Sequence, residues 1–96
     1  MEIKVAARQI ESERGALCSL VYYLTVELAE SPQFCLERYG VRIRDQNGSS
    51  ACTAPLTSSA MEIDELITLL VDNCVTPVTL QDVVADWALS RTLSPA

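Results

Sequence analysis

The chain contains no histidine, which limits the chemistry its other residues can do. Imidazole is the commonest general base and the usual activator of a serine or cysteine nucleophile. Without it, acid–base work falls to carboxylates held together in a cleft. Glu62, Glu65 and Asp72 are the best-spaced candidates, but their spacing puts them where the solvated face of a helix is expected. Four cysteines, Cys18, Cys35, Cys52 and Cys74, stand 17, 17 and 22 residues apart. Cysteine zinc sites draw their ligands in close pairs, so this spacing argues against a metal. The expected role of the four is that of small buried apolar residues. Gly15, Gly40 and Gly48 are too scattered for a loop that cradles phosphate. On these grounds no enzyme, no cofactor and no metal site is expected.

The charged residues point to binding. Of 96 residues, the first 50 hold 7 acids and 6 bases, a net of −1, and the remainder hold 6 acids and Arg91 alone, a net of −5. An acidic back half repels phosphate and leaves Glu62, Asp64, Glu65, Asp72, Asp82 and Asp86 as an acidic helical face for a basic partner. Small acidic proteins can occupy nucleic-acid channels by placing carboxylates where phosphates would sit. An inhibitor of that kind, of phage or mobile-element origin and anti-CRISPR-like, is one alternative, and it rests on composition alone. The front half offers the opposite: Lys4, Arg8, Arg38, Arg42 and Arg44 with Val21 and Tyr23 among them. Arginines and an aromatic on an open sheet are ingredients of single-strand RNA recognition. Cross-strand Glu–Arg pairing explains the same residues, so nucleic acid is the less favoured partner.

The elements that must position these residues follow from periodicity. Ile3, Val5 and Ala7 alternate with Lys4, Ala6 and Arg8 as a half-buried first strand. The polar run Glu11–Gly15 is a loop. From Leu17 to Leu28 the even positions Cys18, Leu20, Tyr22, Leu24, Val26 and Leu28 are all apolar, the mark of a strand with one buried face. Glu30-Ser31-Pro32-Gln33 breaks it. A third strand lies between Phe34 and Asp45, with Tyr39, Val41 and Ile43 on one face and Arg38, Arg42 and Arg44 on the other; Gly40 within it marks a bulge or close packing. Asn47-Gly48 predicts a type I′ hairpin, and a weaker edge strand follows over Ala51–Leu56.

Beyond residue 57 the period becomes helical. Ser58 or Ser59 caps a helix with Ile63, Leu66, Ile67, Leu70 and Cys74 along one stripe. Val75-Thr76-Pro77-Val78 ends it. Thr79, with Asp82 three residues on, caps a second helix whose stripe is Leu80, Val83, Val84, Trp87 and Ala88. The expected fold is α+β: a four-stranded antiparallel meander with two C-terminal helices packed on one face. It forms one domain over 1–90, strands within 1–57 and helices within 58–90, with a frayed tail at 91–96. A chain of this length can bury roughly 60–65% of its unfolded surface. No apolar run approaches the length of a membrane span, and the start lacks the basic-then-apolar layout of a signal peptide, so the expected compartment is the cytosol.

Three segments together resemble a family of small proteins of unknown function from clostridial, largely gut-dwelling, bacteria. They are Val21-Tyr22-Tyr23-Leu24-Thr25-Val26-Glu27, Glu37-Arg38-Tyr39-Gly40-Val41-Arg42-Ile43, and Glu62 through Leu89 with its Val75-Thr76-Pro77-Val78-Thr79-Leu80 junction. Cys52 to Leu56 departs from the pattern. The resemblance implies a bacterial, cytosolic protein and no activity. The functional expectation is a protein-binding or regulatory module, with the open sheet face as first interface, the acidic helical face as second, and a homodimer as one form the contact can take.

Overall fold

The alternation that begins at Leu17 builds the central strand of an antiparallel sheet. The computed structural model describes residues 1–11 and 15–93. Its elements are β1 (Glu2–Glu11), β2 (Leu17–Ser31), β3 (Phe34–Asp45), β4 (Ser50–Cys52), α1 (Ala60–Asp72) and α2 (Leu80–Leu93). The strands lie in the order β1-β2-β3-β4, each antiparallel to the next, and the C-terminal helices contact the sheet. This is the expected α+β meander. Part of the expected loop at 11–15, and the tail beyond 93, lie outside the described residues. α2 itself runs to Leu93, past the expected limit at 90.

The core forms where the even face of β2 meets the helices. Leu20 and Tyr22 join Val41 and Ile43 of β3, Ile63, Leu66 and Leu70 of α1, and Val75, Leu80 and Val84. Tyr22 sits among apolar groups and needs a partner for its one polar atom. Its hydroxyl donates to the Val75 carbonyl at 3.0 Å, tying β2 to the segment between the helices. Burial, reinforced by nearby Cys74 and opposed by Arg8, pushes the Tyr22 phenol up to about 12.

Side chains set both ends of α1. Ser59 is the N-cap, its Oγ accepting the Glu62 N–H at 3.2 Å. The Glu62 carboxylate reaches back to the Thr57 hydroxyl at 2.7 Å, and that hydroxyl also accepts the Ser59 N–H at 3.0 Å. At the other end Cys74 takes a left-handed conformation, φ 50°. There the Val75 N–H donates to Leu70 and the Cys74 N–H to Val71, the paired bonds of a Schellman turn. At the start of α2 the Thr79 carbonyl accepts the Val83 N–H at 3.1 Å. Its hydroxyl lies 3.2 Å from that of Thr76 instead of making the expected box with Asp82.

Gly40 is a point of close approach, as its place in the strand predicts. A Cβ there would lie 2.8 Å from Thr25 Oγ1 and 2.9 Å from Thr53 Oγ1. Thr53 needs that space because its side chain replaces part of the sheet ladder. The Val41 N–H donates to Thr53 Oγ1 at 3.1 Å while the Thr53 N–H donates to the Val41 carbonyl at 2.9 Å. Regular β4 is therefore shorter than the expected Ala51–Leu56. The path still follows β3 as far as the Tyr39–Thr57 bridge.

Four further expectations are corrected. A register shift between Lys4 and Ala6 inserts an extra residue into β1, so Arg8 pairs with Leu20 and lies on the helix side of the sheet. Asn47-Gly48 does not form a type I′ turn, since of the two only Gly48 has positive φ, 91°. The Asp45 carboxylate accepts the Asn47 and Ser49 N–H groups instead, each at 2.9 Å, and closes a three-residue loop ending in the left-handed glycine. Cys35 and Cys52 are exposed thiols where burial is expected of all four; Cys18 and Cys74 are half-buried. Finally, Pro32 does not stop β2 at Leu28. Pro32 and Gln33 form a two-residue turn, and the strands pair up to Ser31 and Phe34.

Candidate interaction surface

The length of β2 decides what the molecule presents to its surroundings. Fifteen residues of strand span roughly 50 Å at about 3.3 Å per residue, close to the long dimension of 54 Å. β1 covers β2 only as far as Glu2 opposite Thr25, with Met1 bonded to Val26. On the other side the last partner of β3 is Thr57, opposite Tyr39. Among the described residues no strand flanks positions 27–38. The β2–β3 hairpin therefore leaves the sheet as a two-stranded arm of five residue pairs, from Glu27–Arg38 to Ser31–Phe34.

The arm carries apolar residues on both faces. Leu28 is 52% exposed and Leu36 is 41% exposed. Leu28 pairs with Glu37, in line with the buried Leu20 and Tyr22, so it continues the core face beyond the helices; Leu36 pairs with Ala29 on the open face. At the root of the arm the Tyr39 hydroxyl donates to Glu37 at 2.7 Å, and this bond, ahead of burial, holds the Tyr39 phenol above its ordinary value.

The expected sheet-face interface is only partly assembled. Lys4, Tyr23 and Arg42 are register partners across three strands, and Val21 and Arg44 pair beside them. Arg8 lies on the opposite face, for the reason given above. Arg38 sits on the arm directly opposite Glu27, an opposite-charge pair across the ladder. Two of the remaining cations are held within the molecule. Arg42 Nε donates to Glu2 at 2.7 Å and its Nη1 to the Ser50 hydroxyl at 2.8 Å. The Arg44 guanidinium lies 5.7 Å from the centre of the Tyr23 ring, within cation–π range.

The acidic helical face is also reduced. Glu62 is half-buried and committed to the cap of α1. Glu65 and Asp72 on α1, and Asp82 and Asp86 on α2, are exposed. Among the described residues no three His, Cys, Asp or Glu side chains come together as a metal site, and no helix is long and apolar enough to cross a membrane.

Sequence reasoning missed the arm. The available signal was that apolar residues persist on both sides of Pro32-Gln33, at Leu28, Ala29, Phe34 and Leu36, with spacing that suits a hairpin closed by that dipeptide.

A family of unknown function, DUF6514, matches residues 1–90, and the chain belongs to it. No curated protein and no solved structure matches the chain.

Proposed function

We propose that this member of the family is a protein-binding module that works through the β2–β3 arm and carries out no reaction of its own. The observation that supports the reading is the pair of exposed leucines on opposite faces of a two-stranded ribbon, 52% and 41% exposed. A ribbon of two strands is marginal in water by itself. Open strand edges are templates on which another chain can add. The role is regulatory, needs no cofactor, and is exercised in the bacterial cytosol that the sequence resemblance implies. The arginine patch favours nucleic acid less, because Arg42 is occupied by Glu2 and Ser50 and Arg44 is turned onto Tyr23.

The test compares the tagged chain with its Leu28→Ser/Leu36→Ser variant, both with unchanged circular dichroism, in cross-linked capture from bacterial extract. Binding present in the parent and lost in the variant supports the arm. Equal capture by both overturns it, as does salt-sensitive single-stranded RNA binding that Arg42→Glu abolishes.

A further inference from the structure

Main-chain geometry narrows what the arm can bind. The Tyr39 N–H donates to Thr57 at 2.7 Å and its carbonyl accepts from Leu56 at 2.8 Å, both away from β2. Val41 likewise turns its N–H and carbonyl to Thr53. Odd positions of β3 thus direct their backbone groups outward, and the two-residue period extends this to Glu37 and Cys35, where no strand lies alongside among the described residues. On the opposite edge Val26 exchanges bonds with Met1 at 2.8 and 3.0 Å. Leu28 and Glu30 therefore hold the outward positions on β2.

Resting on the reading of the arm as the contact element, we infer that its β3 edge pairs with the same edge of a second copy of this chain, antiparallel about a two-fold axis at Leu36. In that register Cys35 of each copy faces Glu37 of the other. Two such pairs give about four main-chain hydrogen bonds. Leu36 meets its twin at the narrow, non-bonded position between them, so an apolar side chain that is 41% exposed gains an apolar partner.

Charge and prior commitments select this seam over the alternatives. Positions 34–38 carry Glu37 and Arg38, a net of zero, whereas 27–31 carry Glu27 and Glu30 with no base. Self-pairing of the β2 edge would line up four carboxylates, which is repulsive. Centring the axis on Glu37 would set carboxylate against carboxylate and require the Tyr39 backbone groups already bonded to Leu56 and Thr57. Centring it on Cys35 would run the ladder into the turn at Gln33. The Leu36 register joins two marginal ribbons into one of four strands, above the three that β-structure needs to hold in water.

The experiment uses the chain with Cys35→Ser and Cys52→Ser, carrying either Leu36→Cys or Ala29→Cys, under mild diamide oxidation. A narrow antiparallel pair places its Cα atoms about 4.5 Å apart, within the range a disulfide spans of about 4.4–6.8 Å. The expected result is a disulfide dimer from Leu36→Cys and none from Ala29→Cys. A second measurement needs no substitution. When about nine-tenths of the chains are dimeric, the Cys35 and Glu37 amides exchange hydrogen about tenfold more slowly than in dilute solution, while Leu28 and Glu30 do not change. Preferential cross-linking through Ala29→Cys overturns the inference, and so does a monomer at every concentration without cross-linking or protection. If that monomer still captures another protein in an arm-dependent way, self-pairing fails and the arm reading stands. If its capture ignores the arm, both fail.

Discussion

Replacing Gly40 with alanine tests the packing that ends the β4 side of the sheet and leaves the arm uncovered. The new Cβ would lie 2.8 Å from Thr25 Oγ1, 2.9 Å from Thr53 Oγ1 and 3.2 Å from the Ala54 carbonyl, where ordinary contact begins near 3.4 Å. Thr25 can rotate away. Thr53 cannot do so without releasing the Val41 N–H that its hydroxyl accepts, and the third neighbour is backbone. Overpacking of this kind costs about 1–3 kcal/mol. The smaller entropy of the unfolded alanine chain returns about 0.4–1 kcal/mol, which leaves a net loss of about 1–2 kcal/mol. With a urea m-value of about 1–2 kcal/mol/M for a chain of this size, the midpoint falls by about 1 M. Adding Thr25→Ala removes the nearest clash, so the double variant recovers part of the loss and the cycle reports a favourable coupling. Gly40→Ala as stable as the parent would refute the reasoning. It would mean that Thr53 is not fixed against β3 and that the end of the sheet is placed by something else.

Other consequences can be checked by the same melts. Tyr22→Phe leaves the Val75 carbonyl without the hydroxyl that donates to it and costs about 1–3 kcal/mol. Because the folded phenol titrates near 12 against 10.0 for the free group, its stabilising contribution is complete below pH 10. It is lost as the pH rises to about 12, at about 1.4 kcal/mol per unit, so an alkaline decline as steep in Tyr22→Phe as in the parent would contradict this, the raised Tyr39 phenol being common to both. At the left-handed Cys74, Cys74→Gly keeps or raises stability while Cys74→Val lowers it by about 1–3 kcal/mol; the reverse order would rule out the Schellman turn. Ser59→Ala removes the N-cap oxygen and lowers stability by about 0.5–2 kcal/mol, whereas Ser58→Ala, at an exposed neighbour, shifts the midpoint little.

Periodicity made most of the fold legible. Leu20, Tyr22, Val41 and Ile43 were readable as one face because antiparallel strands alternate strictly, and Ile63, Leu66 and Leu70 because a helix repeats every 3.6 residues. The misreadings share a cause: each turned on one residue doing something its type does not announce. The extra residue between Lys4 and Ala6 moves Arg8 to the other face, and composition carries no mark of a bulge. Asn47-Gly48 fits a tight turn, but the Asp45 carboxylate captures the neighbouring N–H groups and lengthens the loop. Pro32 reads as a strand breaker, yet the first position of a turn suits its fixed φ, so β2 and β3 pair past the point where the core ends. The candidate site was less legible than the fold for that reason. Alternation puts Arg42 and Tyr23 on the open face, where they pair, but the grip of Glu2 on Arg42 depends on strand register, and the arm depends on where β1 and Thr57 stop covering their neighbours.

The most direct test of the arm as contact element is a hydrogen-exchange footprint of whatever complex the chain forms, with itself or with a captured protein. Protection gained within 27–38, while Lys4, Tyr23, Arg42 and Arg44 and the exposed acids of α1 and α2 exchange as before, is the predicted result. Protection centred on the arginine patch or on the acidic helices, with the arm unchanged, would contradict the account.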